Sequence, residues 1–180
     1  SCVSYLCKSV IISKKCDFES RKYKQIDGAV ITFKSDSSLN CVVTFQTANI
    51  LQRFMLRFEK LALGCSDHIN IYDGDLPIGQ PAVYLSYVTG DSRISDVGSQ
   101  MVITAFKNIP SVTCNGLKCL NSYCISRDLG CDGINHCDDN SDESSHAMCK
   151  QEEKLTSGVK HVFMFSIEAT MNWIKHLFCF

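Results

Sequence analysis

Twelve cysteines in a chain of 180 residues constrain this sequence more than any other feature. Thiols at that density are normally held as disulfides, so the chain is expected to fold in a secretory, oxidising compartment. Zinc is the competing use. No C-x-x-C pair occurs, and none of the five His stands in H-x-x-x-H or H-E-x-x-H spacing, so disulfides are preferred. With 45% hydrophobic residues and a net charge of −1, the chain reads as globular, without the positive excess of a nucleic-acid binder.

The cysteines also divide the chain. Residues 66–113 hold none, and then Cys114, Cys119, Cys124, Cys131, Cys137 and Cys149 follow in quick succession. Charge changes at the same place: within 114–149 only Lys118 and Arg127 oppose Asp128, Asp132, Asp138, Asp139, Asp142 and Glu143. A boundary near Ile109–Pro110–Ser111 gives three parts: a body at 1–113, a small module at 114–149 and a tail at 150–180. The body reads as strands. β-rich runs at Ala29–Phe33, Val42–Phe45, Phe54–Phe58, Ile69–Ile71 and Met101–Phe106 are separated by Gly, Asp and Ser clusters, the pattern of an antiparallel β-sandwich.

Gly28-Ala-Val-Ile-Thr, Cys41-Val-Val-Thr-Phe, Phe54-Met-Leu-Arg-Phe, Cys65, Asp67-x-Ile-x-Ile-x-Asp73-Gly74 and Met101–Phe106 follow one another as in a CUB domain. Residues 16–108 resemble a divergent member of that family. The resemblance implies a Cys16–Cys41 bridge. It leaves Cys65 without its usual partner, since Tyr87 stands where that Cys belongs; Cys2 or Cys7 is the preferred substitute. Some CUB domains bind calcium, and Asp67 matches one ligand, but Gly64 and Asn108 or Ile109 replace the others. One carboxylate does not hold a hard dication, so Asp67 is expected to cap a turn. A final strand is also expected to be missing.

The module at 114–149 is too short to bury a sufficient core and needs staples. Six cysteines by themselves admit many pairings. Asp138, Asp139, Asp142 and Glu143 crowd a loop tied by Cys137 and Cys149, and their repulsion calls for a cation. Oxygen-only ligands suit calcium, which takes about 6–8 oxygens. The run Cys131-Asp-Gly-x-x-x-Cys137-x-Asp139-x-Ser141-Asp142-Glu143 is that of an LDL-receptor class A repeat, and the whole module resembles one. The resemblance implies the bridges Cys114–Cys124, Cys119–Cys137 and Cys131–Cys149. It further implies a Ca2+ ion held by the side chains of Asp132, Asp142 and Glu143 and the carbonyls of Leu129 and Ile134. Asp139 and Ser141 would brace the loop. The last ligand position, commonly Asp, is His136, which implies a weaker site. Asp138 has no assigned part, and Asp138→Ala is expected to matter little. Such repeats often grip a partner's Lys beside an aromatic residue, but that position is Leu129.

No catalytic constellation is found. Gly90-Asp91-Ser92-Arg93 echoes a trypsin-like nucleophile motif, with Arg93 in place of Gly. The chain is therefore expected to be mostly β and not an enzyme. The two resemblances imply an extracellular protein-recognition unit, with a protein ligand or receptor as partner and no nucleic acid. It would belong to a cell-surface receptor, a receptor accessory or a secreted mosaic protein. The alternative is the targeting part of a mosaic trypsin-like serine protease. In the tail, Phe163, Ile167, Met171, Ile174 and Phe178 recur at helical spacing, the pattern of a short amphipathic helix. Lys160, Glu168 and Lys175 would cost about 2.5–3.5 kcal/mol each inside a bilayer. Membrane contact is therefore expected only through regions outside this sequence, or weakly through the tail's surface. Ser1 follows neither an initiator Met nor an apolar leader, as in a processed chain or a piece of a precursor.

Overall fold

The computed structural model describes residues 9–12, 24–34, 38–75, 81–90, 98–108, 113–149 and 163–164. In chain order the strands are β1 (Ser9–Ile12), β2 (Lys24–Gln25), β3 (Gly28–Phe33), β4 (Asn40–Gln46), β5 (Arg53–Lys60) and β6 (His68–Asp75). There follow β7 (Pro81–Val88), β8 (Ser99–Asn108), β9 (Leu117–Lys118), β10 (Tyr123–Ile125) and β11 (Phe163–Met164). Each expected β-rich run falls inside one of these, and the chain is mostly β. The sequence reading does not single out β7, although Val83, Leu85 and Tyr87 alternate there.

The strands form two sheets. One has the order β2-β4-β7-β6, antiparallel except for the short β2–β4 pair. In the other, β8 is the hub, flanked by β3 and β5 at the same residues: Thr104 stands opposite both Gly28 and Met55. Strand β1 adds in parallel to β3. The inward residues of both sheets make one core. Ile31, Phe33, Met101 and Ile103 come from the second sheet, and Val43, Phe45, Leu85 and Tyr87 from the first. Phe33 meets Tyr87 edge-on across the core at a centroid distance of 5.2 Å, a favoured aromatic geometry. Thus Tyr87 fills core space at the position where the CUB pattern has a Cys. Cys41 and Cys65 are both disulfide-bonded; Cys16, Cys2 and Cys7 lie outside the described residues.

Strands β4 and β7 alternate buried and more open positions, as a half-solvated sheet should. Strands β3 and β8 do not. Val30, Val102 and Thr104 on the outward side are buried as well, which requires a layer on that side too. The small module supplies part of it. Its β10 pairs antiparallel with the end of β8, Tyr123 opposite Asn108 and Ile125 opposite Phe106, continuing past the start of β3. The β9–β10 hairpin therefore belongs to the same sheet. Phe106 and Tyr123 pack with ring centroids 4.4 Å apart, and Phe106 joins Ile125, Leu129, Cys119 and Cys137 in a second small core.

Gly28 makes this docking close. A Cβ built there would meet the Leu129 methyls and the His136 ring at 2.9 Å. Gly28→Val is expected to cost about 1–3 kcal/mol by overpacking, read as a lower urea midpoint at an unchanged m-value.

The tail differs from expectation where it can be followed. Phe163 and Met164 pair antiparallel with Phe58 and Arg57 as a strand, so the helical stripe does not begin at Phe163. An open edge of β5 offers backbone partners that the apolar spacing alone does not reveal. Ile167, Met171, Ile174 and Phe178 lie outside the described residues, as do Asp91–Arg93.

Candidate metal centre

The module holds its shape through three disulfides: Cys114–Cys124, Cys119–Cys137 and Cys131–Cys149. These are the pairs implied by the resemblance. Regular structure amounts to the β9–β10 hairpin and three single turns of 3-10 helix, Arg127–Leu129, Ser141–Glu143 and Ser145–Ala147. Between the first two turns runs the acidic loop. Gly133, at φ 86°, adopts the left-handed region open to glycine at little cost and turns the chain back after Asp132.

Asp142 is the centre of this loop. It is fully buried. Its Oδ2 accepts a 2.5 Å hydrogen bond from the His136 backbone N–H, while its Oδ1 is buried with no hydrogen-bond partner. Burial pushes the carboxyl above the usual carboxylate range, against the opposing pull of the His136 and Cys137 backbone N–H groups. Glu143 is shifted upward for the same first reason, with the Asp132 and Asp142 charges adding to it. Glu143 Oε1 and Oε2 accept from the N–H groups of Asp132 and Gly133 at 2.9 and 2.7 Å. Asp132 Oδ1 accepts from Ile134 N–H at 2.9 Å.

Asp139 and Ser141 stand beside the loop and pin it. Asp139 accepts from the N–H groups of Asn121 and Ser141 at 2.7 and 2.9 Å, and Ser141 Oγ accepts from Leu120 N–H at 3.1 Å. Leu129 is buried against Leu117 and Gly28. Among the described residues no three His, Cys, Asp or Glu side chains are already gathered as a ligand set; Asp132 and Glu143 engage backbone N–H groups. The donor chemistry still fits calcium. A buried carboxylate oxygen without a partner, beside two more carboxylates, is what a hard cation satisfies.

His136 and Asp138 have neighbours outside the module. The His136 ring is 1% exposed; its Nδ1 is hydrogen-bonded to Thr104 Oγ1 of β8 at 2.7 Å, and its Nε2 lies 3.4 Å from Asp132 Oδ2. Arg57 of β5, 3% exposed, reaches over the same loop. One of its terminal nitrogens donates to the Asn135 carbonyl at 2.6 Å, and the other lies 3.5 Å from Asp138 Oδ1. Glu59 holds the guanidinium from the other side. Asp138, given no part by the sequence, thus has a cationic neighbour in the body. A charge inside an acidic run shows no partner in the sequence when that partner is 81 residues away.

Asp67 in the body has a different task. Its carboxylate accepts from Gly64 and Gly90 N–H groups at 2.9 and 3.0 Å, and its own N–H donates to the Gly64 carbonyl. It caps the turn before β6 and ties it to the end of β7.

A family model, the low-density lipoprotein receptor domain class A, matches residues 112–149. No curated protein matches the chain. With its three disulfides, the segment at 112–149 is an LDL receptor class A domain; domains of this class are disulfide-rich, calcium-binding extracellular protein-interaction modules.

Proposed function

We propose that this chain is a non-catalytic, extracellular protein-recognition unit in which a CUB-like body carries a calcium-stabilised class A repeat. Asp132, Asp142 and Glu143, with the carbonyls of Leu129 and Ile134, would hold the ion. The observation that carries the reading is the buried, unpartnered Asp142 Oδ1 inside a disulfide-tied acidic loop. Calcium neutralises the loop; the protein's residues fix its surface for a partner. Strand order and two packed sheets support the CUB-like part. The parent is a receptor, a receptor accessory or a secreted mosaic protein, and its partner is another protein. Among the described residues no helix is long and apolar enough to cross a membrane.

Ligand that binds only the native form at a hundredfold excess over Kd stabilises it by about 2.7 kcal/mol. For a chain of this size, that corresponds to a melting temperature about 5–10 °C higher in millimolar calcium than in chelator. Identical melting curves in the two buffers would refute the reading.

A further inference from the structure

Beyond the backbone pairing of β10 with β8, the side-chain polar contacts described between the repeat and the body come from one stretch of the acidic loop. Asn135 offers its carbonyl to Arg57, His136 its ring to Thr104, and Asp138 its carboxylate to Arg57. The same stretch is bracketed by the candidate ligands. Ile134, whose carbonyl would meet the ion, precedes Asn135. Asp142 Oδ2 grips the His136 backbone N–H, and Asp132 Oδ2 faces the His136 ring. His136 and Thr104 are both fully buried, so neither has room to turn away without disturbing the contact. We infer that Arg57 and Thr104 of the body are positioning residues for the repeat's cation loop, and that calcium binding and docking of the repeat onto the body stabilise each other.

The argument is one of linkage. An ion that fixes the loop between Asp132 and Asp142 also fixes the atoms that meet Arg57 and Thr104. By thermodynamic reciprocity, those two residues then raise the loop's affinity for the ion by the same factor. The coupling has a contiguous physical route: ion, Asp142 carboxylate, His136 backbone, His136 ring, Thr104 on β8. The repeat accordingly forms one stiff unit with the sheet rather than a tethered bead. His136, at the position where the family resemblance implies a ligand carboxylate, anchors the docking through Thr104. The inference rests on the calcium reading above.

The test uses the oxidised full chain. Calcium affinity is measured by competition with a chromophoric chelator for the unaltered protein, for Thr104→Val and for Arg57→Met. Thr104→Val keeps the volume and removes the hydroxyl; Arg57→Met keeps part of the stem and removes the charge. Each is expected to weaken calcium binding by about fivefold or more, within the usual range of coupling factors, with the far-UV spectrum unchanged. In the unaltered protein, calcium is expected to slow backbone amide exchange across Thr104–Asn108, a stretch that contains no candidate ligand. This second reading needs no variant and decides the matter if either substitution prevents folding. Equal affinities in all three proteins together with unchanged exchange at Thr104–Asn108 would overturn the linkage and leave the calcium reading standing. No calcium uptake by the unaltered protein would overturn both.

Discussion

Asp142→Ala is expected to turn oxidative refolding in calcium from one dominant disulfide isomer into a mixture, as a chelator does for the unaltered chain. Two losses combine. The His136 backbone N–H loses its acceptor inside the protein, a cost of about 1–3 kcal/mol for a buried donor. The central carboxylate of the proposed calcium site disappears as well, and with it about 2.7 kcal/mol of ligand-derived stability at a hundredfold excess over Kd. Both fall on a module whose described core is little more than Cys119, Ile125, Leu129 and Cys137 with Phe106, Leu117 and Tyr123 around it. Such a module has little stability in reserve. Chromatography of the refolded isomers, without reduction, separates the outcomes; one dominant product from Asp142→Ala would contradict the role given to that carboxylate.

Tyr87→Ala is expected to cost about 3–5 kcal/mol, the range for emptying a large aromatic site in a core. Tyr87 is 1% exposed, stands between Cys41 and Ile69 in the sheet and packs edge-on against Phe33 of the opposite sheet. Its loss would open a cavity between the layers that the packed strands cannot close fully. Denaturant unfolding followed by intrinsic fluorescence gives the number. A change below about 1 kcal/mol would mean that the two sheets are not held by this contact.

The two parts of the chain were legible to different degrees, for physical reasons. In the repeat, the cysteine spacing and the acidic run are local. Cys131, Asp132, Cys137, Asp142 and Glu143 lie close enough in sequence for their joint chemistry to be read directly. In the body, the β-rich run Val42–Phe45 and the alternation of Phe54, Leu56 and Phe58 with Met55 and Arg57 mark strands. What the sequence hides is the contact between the parts. Arg57 looks like an ordinary outward residue of an alternating strand, and only folding brings it to Asn135 and Asp138. His136 looks like a damaged ligand position until Thr104 stands opposite it.

One signal of that contact was present. Met101–Phe106 and Gly28–Phe33 are nearly continuous apolar runs, the mark of strands covered on both faces, with Thr104 and Gly28 at the points where the repeat comes closest. Those runs called for a second covering layer, and the sequence does not say which segment supplies it. The tail shows the same limit. A helical stripe in the sequence carries no information about the open edge of β5, where Phe163 and Met164 pair as strand.

The central claim is that the loop around Asp142 is a calcium site, and titration calorimetry of the oxidised full chain tests it most directly. A single binding event with one calcium per chain is predicted, abolished by Asp142→Ala. No heat above dilution for the unaltered chain, together with refolding that proceeds equally well in chelator, would contradict it.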